Sequence, residues 1–480
     1  MSDGLTLGID LGTSALKVLL LDAQGQRVGG GEAGFPTRSD QPQQAEQSPQ
    51  DWLAAAADAM VHLRGQLASE VDWPARVGAI GLTGQLPTLV CLGADGPLGA
   101  AITWRDGRAD GLAAERITPR RRREIYDRTG MPIDGRYLAP MLARHFGERL
   151  GEVRLALSAK DFLLWALTGI ACTEPSTAAG YGLYDLTEQR FSAALAVDWQ
   201  TPLELLPPVR DSNALAGLLD ERGARLLGLR TGIPVSTGAA DSVCAAYALS
   251  GLDVQCASIS LGTSAVVMGA TRQLQFDRQA RCLVTPHVQP GWYGREMDLM
   301  ATGSGHQWLS QLFDWRNGEL DACAARSLPG ARGLLFPPYL AGGEQGALWN
   351  PSLKAGLFGL TLAHCADDIA RAYLEGVCFE LRRCVEVLAE QSPVRAVAVS
   401  GNITKVPSSA QLLADILGRP VRLASQKSPA AQGAAWLAGT LAGQSGPMPS
   451  ALMVELPPGE QAAAYADLYA RYCERAALCA

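Results

Sequence analysis

Several features are missing from this sequence of 480 residues, and each absence excludes a class of protein. The sequence has no stretch of 18 apolar residues, the length needed to cross a membrane. Its first residues lack the basic start and apolar core of a signal peptide. The eleven cysteines are spread singly, without a C-x-x-C pair and without clustering beside the five histidines. We therefore expect a cytoplasmic protein without disulfides, structural zinc or a membrane partner.

Charge and composition narrow the class further. Apolar residues make up 48% of the chain and charged residues 19%, which predicts a folded chain rather than a disordered one. The net charge of −7 argues against a nucleic-acid partner. Pro119 to Arg123 contains four consecutive arginines, but the chain around them is not basic, so we expect a solvated helix face there. The length allows two or three domains with full cores.

What the sequence does contain is a strand–turn–strand pattern at its start. The segments 5–9 and 16–21 are apolar enough for buried strands, and Gly12-Thr13-Ser14 would form the turn between them. Asp10 stands within this buried pattern, where a carboxylate is costly unless it is paired or holds a cation. An acid, open amides and hydroxyls at one turn suit a phosphate with its metal, although an acid that only caps the turn would give the same pattern.

This pattern occurs twice. The pentapeptide Leu11-Gly12-Thr13-Ser14-Ala15 recurs unchanged as Leu261-Gly262-Thr263-Ser264-Ala265, about half the chain later, and both copies lie between apolar strand patterns. The simplest interpretation is two halves of one fold, each presenting a phosphate-binding hairpin to a shared cleft. This is the plan of the actin-like (ribonuclease H-like) α/β fold, in which two related domains close over a nucleotide and its metal.

Two further segments place polar side chains directly after predicted strands. Gln85 follows a strand at 77–82, at the end where open α/β sheets bind ligands, although a loop glutamine facing water would look the same. Trp104, Asp106 and Arg108 follow another strand. They would hold a polyhydroxylated ligand, with the indole covering a sugar face, and a surface ion-pair cluster is the alternative.

Asp241 is the most informative acid after Asp10. It follows the strand 233–236 and a turn of small residues, and it opens a helix. An Asp at this position is commonly an N-cap, but small neighbours also leave its carboxylate room to accept a hydroxyl proton during phosphoryl transfer. A second turn of small residues, Ser400-Gly401-Asn402, follows a later strand.

Taken in order, these segments resemble the FGGY family of carbohydrate kinases over nearly the whole chain. No single marker is decisive, whereas the ordered set is specific. The markers are Gly8-Ile9-Asp10-Leu11-Gly12-Thr13-Ser14, Gly84-Gln85, Trp104 with Asp106-Gly107-Arg108, Asp241, Leu261-Gly262-Thr263-Ser264, Pro338-Tyr339-Leu340, Gly356 to Gly376, Ser400-Gly401, Ala414-Asp415, and Ala431 with Gly433-Ala434-Ala435.

The resemblance implies an ATP-dependent kinase of a small-molecule sugar or polyol, with a ketopentose such as D-xylulose as the first expectation. Asp10 would help to hold Mg²⁺ and the phosphates, and Asp241 would be the catalytic base. The residues expected to contact the nucleotide are Gly12, Thr13, Ser14, Gly262, Thr263, Gly401 and Asn402. The residues expected to face the sugar are Gln85, Trp104, Asp106 and Asp241.

The resemblance also implies an organisation of the chain. Residues 1–247 would form the sugar-binding domain and residues 248–440 the nucleotide-binding domain. Residues 441–480 would form a helical tail packed on the second domain. Family members are often homodimers.

The sequence departs from the family pattern at the expected sugar site. Kinases of D-xylulose usually carry Met-His where this chain has Leu86-Pro87, and family members often carry an Asn where this chain has Ser242. Ser400-Gly401-Asn402 replaces a glycine run, and the segment 341–345 lacks a Glu-Arg pair. Ribulose, erythritol, glycerol and gluconate therefore stay open as alternative substrates.

Two hypotheses from other classes also stay open. An ATPase of the actin or heat-shock type would use closure for mechanical work, but the sequence lacks a peptide-binding domain and carries the Trp104 cluster. A sugar-binding homologue without kinase activity would not require both Asp10 and Asp241.

Overall fold

The computed structural model of the protein describes residues 4–341, 346–350, 352–424, 428–444 and 453–479. Most of the departure noted at 341–345 lies outside these ranges. Within them, no helix is both long and apolar enough to traverse a membrane, and the cysteines form no disulfide.

The α-helices are α1 (Pro49–Gln66), α2 (Trp73–Arg76), α3 (Asp110–Arg116), α4 (Pro119–Thr129), α5 (Leu138–Phe146), α6 (Ala159–Thr168), α7 (Pro175–Ala179), α8 (Ala193–Ala196), α9 (Glu221–Leu227), α10 (Asp241–Ser250), α11 (Gly303–Leu312), α12 (Glu319–Arg326), α13 (Ala366–Ala389), α14 (Pro407–Leu417), α15 (Pro429–Gly439) and α16 (Ala462–Ala476).

The strands are β1 (Leu5–Leu11), β2 (Ala15–Leu21), β3 (Arg27–Gly34), β4 (Glu46–Gln47), β5 (Val77–Gly84), β6 (Thr88–Leu92), β7 (Ala101–Thr103), β8 (Leu155–Ser158), β9 (Tyr184–Asp185), β10 (Arg190–Phe191), β11 (Leu215–Leu218), β12 (Pro234–Ser236), β13 (Ala239–Ala240), β14 (Cys256–Leu261), β15 (Ala265–Thr271), β16 (Leu283–Pro286), β17 (Tyr293–Leu299), β18 (Ala396–Gly401), β19 (Val421–Ala424) and β20 (Met453–Leu456).

The two large sheets share one connectivity. Six strands of the first sheet run in the order β3-β2-β1-β5-β12-β11, and six of the second in the order β17-β15-β14-β18-β19-β20. In each sheet the first three strands form an antiparallel meander, the next two lie parallel to the third, and the last is antiparallel to its neighbour. The repeated pentapeptide therefore does mark two copies of one plan, and the expected actin-like α/β fold is confirmed.

Strand β1 is buried along its whole length because both faces of the sheet are covered. Side chains alternate between the two faces of a strand. Leu7 and Ile9 therefore face the apolar core that α1 and α6 complete. Gly8 and Asp10 lie on the other face, where α15 packs. This alternation is why an acid can stand in an otherwise apolar strand and still reach the space between the two sheets.

Helices α10 and α15 lie side by side between the sheets. Helix α15, from late in the sequence, packs on β1 and β5, whereas α10 packs on β14. The contacts are close because glycines stand where backbones meet: a Cβ on Gly8 would lie 1.9 Å from the Ala431 carbonyl oxygen, and one on Gly433 would lie 2.0 Å from that of Cys244. The two halves are thus joined through a tightly packed helix pair that covers the central strands of the facing sheets.

Two further parts complete the molecule. The sheet β4-β7-β6-β8 forms a separate apolar core with α5 and places Trp104 directly after β7. Helix α16 packs against α13 and α14, and its tyrosines Tyr465, Tyr469 and Tyr472 surround Phe379.

Candidate functional site

A cleft of about 1200 Å³ lies between the two halves, and both copies of the repeated turn line it. Most of the residues expected at the site from the sequence also line this cleft. They are Asp10, Gly12, Thr13, Ser14, Trp104, Asp106, Asp241, Gly262, Thr263 and Gly401. Gln85 and Asn402 are not among the lining residues.

The first turn is held from both sides. The Gly12 amide donates to the Ala15 carbonyl at 3.1 Å, which closes the hairpin. The Trp104 indole N–H donates to the Thr13 hydroxyl at 3.2 Å, and the Gln47 amide donates to the Thr13 carbonyl at 2.7 Å. In the described part of the chain, the amides of Thr13 and Ser14 make no hydrogen bond, so the open donors expected at this turn lie just after the glycine.

The second turn is also closed by its glycine amide, but onto the carbonyl two residues on, where the first turn uses the carbonyl three residues on. The Gly262 amide donates to the Ser264 carbonyl at 2.8 Å, and the Thr263 carbonyl accepts from the Ser304 amide at 3.0 Å. Helix α11 begins against the turn, since a Cβ on Gly303 would lie 2.3 Å from the Gly262 oxygen. Both hairpins therefore present backbone to one cleft, as the duplicated sequence predicts, although the glycine amide closes the second turn one residue earlier.

Asp10 is 7% exposed, and its Oδ1 has no hydrogen-bond partner within the described residues. Burial raises the Asp10 pKa to about 6; Lys17, opposite Asp10 in the β1–β2 register, lowers it in part, and Glu32 adds to the rise. The described residues hold no cluster of three metal-ligating side chains. Magnesium is commonly held by one or two carboxylates plus substrate phosphates, so the single buried carboxylate of Asp10 beside this cleft fits Mg²⁺.

Asp241 is the first residue of α10, and its Oδ1 accepts from the Ser242 amide at 2.8 Å. Burial raises the Asp241 pKa to about 7, and the negative charges of Asp10 and Asp298 raise it further. Asp241 is not the N-cap of α10, because that position is Ala240, whose side chain cannot cap the helix. Its carboxylate lies on the cleft wall and has a pKa near neutral pH, which suits a general base.

The structure adds acids that sequence reasoning did not identify. Glu296 and Asp298 lie two residues apart on β17, so both are on the face opposite Met297, which lies in the core. Neither acid is among the residues that line the cleft. The Ser242 hydroxyl donates to Glu296 at 3.2 Å. Burial raises the pKa of both acids, to about 6 for Asp298, where the charge of Arg136 offsets part of the rise. Their alternating spacing on a strand was the available signal.

Lys17 is the other residue that sequence reasoning left without a role. It stands opposite Asp10 in the β1–β2 register and lines the cleft. A lysine inside the apolar run 16–21 was the signal that could have identified it.

Asp106 lies on the cleft wall, but the protein itself satisfies its carboxylate. The side chain is fully buried, accepts from the Ala45 amide at 2.9 Å and pairs with Arg108 at 2.6 Å. Arg108 also reaches Glu46 at 2.5 Å. Burial alone would raise the Asp106 pKa, but the hydrogen bonds from Arg108 and Ala45 outweigh it and hold the pKa below the usual 3.8. The ion-pair alternative thus describes the contacts of Asp106, while Trp104 faces the cleft.

Gln85 and Asn402 lie outside the cleft lining for different reasons. Gln85 is buried, its amide donates to the Gln47 side chain at 2.8 Å, and its Oε1 has no partner within the described residues. Through Gln47 it is linked to the Thr13 carbonyl. Asn402 is exposed and accepts from the Lys405 ammonium at 3.0 Å.

Gly401 and the unusual Leu86 also have clear structural surroundings. Gly401 has a φ of 114°, and a Cβ there would lie 2.0 Å from the Leu261 oxygen, so this position requires glycine. Leu86 packs against Gly180, and neither Leu86 nor Pro87 lines the cleft, although both were expected at the sugar site.

Comparison with known proteins agrees with this geometry. Residues 5–248 match the N-terminal domain, and residues 257–442 the C-terminal domain, of the FGGY family of carbohydrate kinases. A xylulose kinase of Bacillus subtilis is 28% identical over 90% of this chain and 87% of its own length. A glycerol kinase of Gloeobacter violaceus is 30% identical over 91% of this chain and 88% of its own.

A crystal structure of a ligand-bound xylulose kinase from Lactobacillus acidophilus superimposes with a TM-score of 0.91. Its sequence is 25% identical, and the match covers 99% of each chain. Two family domains, in the order and with the fold described above, span nearly all of the chain, which therefore belongs to the FGGY family of carbohydrate kinases.

Proposed function

We propose that this protein transfers the terminal phosphoryl group of Mg-ATP to a hydroxyl group of a ketopentose such as D-xylulose, giving xylulose 5-phosphate, with Asp241 as the general base. The observation that carries the proposal is that Asp10, Asp241 and both repeated turns line one cleft between the two halves of the molecule. Two turns that can bind phosphates, beside the Asp241 carboxylate with its pKa of about 7, suit phosphoryl transfer from a nucleotide to an alcohol.

In this mechanism the substrate hydroxyl gives its proton to the Asp241 carboxylate while its oxygen attacks the terminal phosphorus of ATP. The P–O bond to the leaving ADP breaks, and the new phosphate ester forms. Oδ1 of Asp241 is held by the Ser242 amide, so the side chain is oriented before substrate arrives.

The turns 12–14 and 262–263 would bind the phosphates through backbone amides and hydroxyls, and Gly401 would lie beside the nucleotide. Asp10 would help to hold Mg²⁺, which when bound neutralises charge on the phosphates. Lys17 lines the same wall of the cleft, and we propose that its ammonium group also neutralises negative charge on the phosphates.

On the sugar side, Trp104 would cover one face of the substrate, while Asp106 would hold the Trp104 segment through Arg108. Gln85 would support the first turn indirectly, because it donates to the Gln47 side chain, which in turn donates to the Thr13 carbonyl. Asn402 would stay at the outer edge of the nucleotide site. We accordingly place the sugar side in residues 1–247 and the nucleotide side in residues 248–440.

The substrate is tested by ADP release with Mg-ATP against D-xylulose, ribulose, erythritol, glycerol and gluconate. The proposal expects the largest kcat/KM for D-xylulose. A larger value for another member of the panel keeps the kinase and overturns the ketopentose. Silence with all of them, while ATP still binds, overturns the kinase proposal in favour of a sugar-binding homologue.

A further inference from the structure

A second pocket, of about 560 Å³, lies far along the second sheet from the cleft. The cleft is lined by the hairpin end of β14 and β15, from Ser260 to Ser264. The second pocket is lined by the opposite ends of the same two strands, at 256–257 and 269–271, and by the chain after α13. The nearest lining residues of the two sites on β14, Ala257 and Ser260, are three residues apart, which is about 10 Å at about 3.3 Å per residue.

Arg295 forms part of the wall of this pocket and is 3% exposed. Its Nε and Nη2 atoms are buried and make no hydrogen bond to any residue that the structure describes. Glu390 is an acid close enough to interact with it, but both Glu390 oxygens are taken by Arg281, at 2.8 and 2.6 Å. The Cys282 thiol also interacts with the guanidinium, but a thiol is only a weak acceptor. A buried guanidinium in this state is costly unless a ligand or water completes its hydrogen bonds.

The rest of the pocket suits an organic anion rather than a bare ion. Arg272 stands at the rim with its guanidinium 4.6 Å from the centre of the Trp292 ring. Apolar side chains such as Leu252 and Leu388 supply part of the remaining wall, and Asp253 is the acid among the lining residues. The uncharged polar residues in the wall are Thr271, Gln273, Gln391 and Ser392. The volume falls within the usual range for small-molecule sites, about 300–1,000 Å³.

We propose that this pocket binds a small organic anion, whose phosphate or carboxylate group pairs with Arg295 and whose apolar part lies along Trp292. The planar guanidinium presents two parallel N–H donors, the arrangement that matches such an oxyanion. The pocket and the cleft share β14 and β15 but have no lining residue in common, so the pocket is a second site separate from the proposed kinase chemistry.

The test is titration calorimetry on the full-length protein with phenyl phosphate, benzoate and neutral phenol as probes. The cleft is first filled with Mg²⁺ and a non-hydrolysable ATP analogue, so that binding there does not contribute. We expect at least one of the two anions to bind and phenol not to bind. The phosphate and carboxylate probes distinguish which oxyanion the site prefers.

Pocket variants then locate the binding. Arg295→Gln should weaken anion binding by about tenfold or more, since charge-assisted hydrogen bonds of this kind are worth about 1.5–3 kcal/mol. Arg272→Gln, at the exposed rim, should weaken it less, and Ser392→Trp should block it by filling the pocket. Arg316→Gln, an exposed arginine outside the pocket, is the matched control and should bind as the parent does.

Thermal unfolding without ligand separates a binding role from a structural one. If the Arg295 guanidinium lacks partners in the free protein, Arg295→Met should leave the Tm unchanged or raise it. Failure of both anions to bind at millimolar concentration would overturn the proposal, as would binding that survives in all three pocket variants. If the Arg295 variants do not fold, the Arg272 and Ser392 variants decide the outcome.

Discussion

The charge of Asp10, at the end of β1, raises the pKa of Asp241, the first residue of α10, although the two acids stand 231 positions apart in the sequence. Burial is the larger cause, and together with the neighbouring acids it brings the Asp241 pKa to about 7. A carboxylate with an ordinary pKa near 4 would be a weaker base at neutral pH. The proposed metal ligand thus also tunes the proposed base.

The pH dependence of the reaction follows from this value. Asp241 must be deprotonated to accept a proton, so kcat/KM for the sugar should rise as the pH increases through about 7. Below that pH it should fall about tenfold per pH unit, because the active fraction of the free enzyme falls in that proportion. Initial rates between pH 5 and 9 measure this, and a profile flat down to pH 5 would contradict the role of Asp241.

Asp10→Asn should have two separate effects. It should weaken Mg-ATP binding, measured by calorimetry, because the carboxylate proposed to help hold the metal is lost. It should also move the acid limb of the remaining activity to lower pH, because removing the Asp10 charge lowers the Asp241 pKa. Asp58→Asn, at an exposed position on α1, is the control. An unshifted limb would show that the two acids are not coupled.

The close packing of α15 on β1 predicts a large difference between two glycines. Gly8→Ala would place a Cβ 1.9 Å from the Ala431 oxygen, which is backbone and cannot move aside without shifting the helix. We expect a loss of about 1–3 kcal/mol, or more, in the free energy of unfolding. Gly65→Ala, in α1 with nothing within 4 Å, should instead gain about 0.5–1 kcal/mol. Equal Tm values for both would contradict the packing described.

Asp106→Asn tests whether this carboxylate anchors the Trp104 segment. At pH 7 the variant should lose about 1–3 kcal/mol in the free energy of unfolding, because it removes a buried charged partner of Arg108, which is partly exposed and keeps Glu46. The pKa of Asp106 is lowered on folding, so its contribution is present above 3.8 and is lost as the pH falls through the folded value. The stability difference should therefore shrink in acid. A rise in KM without any loss of stability would favour direct contact with the sugar.

The sequence predicted the architecture well because the duplication is visible in short sequence motifs and their flanking strand patterns. Two identical pentapeptides between apolar strands indicated two equivalent hairpins, and alternation along β1 sends Asp10 toward the space between the sheets. The position of Glu296 and Asp298 beside Ser242 and Asp241 could not be found in this way. It depends on how β17 pairs with β15, a long-range contact that no short motif encodes.

Burial also separated residues that the sequence could not distinguish. Trp104 and Asp106 stand two positions apart, yet the indole faces the cleft while the carboxylate is enclosed by Ala45 and Arg108. Gln85 follows a strand end as expected, but the Gln47 side chain lies between it and the first turn. Partners such as Gln47 come from distant segments, so only the folded chain shows whether a polar side chain is available to a ligand.

The most direct test of the account is Asp241→Asn, which keeps the shape of the side chain and removes its ability to accept a proton. Sugar-dependent ADP release should fall by about 10²–10⁴, the usual contribution of a general base, while calorimetric binding of Mg-ATP stays close to that of the parent. Ser242→Ala, the neighbouring cleft residue, should keep most of the activity. Parent-like turnover by Asp241→Asn, with the preferred substrate of the panel, would contradict the central claim.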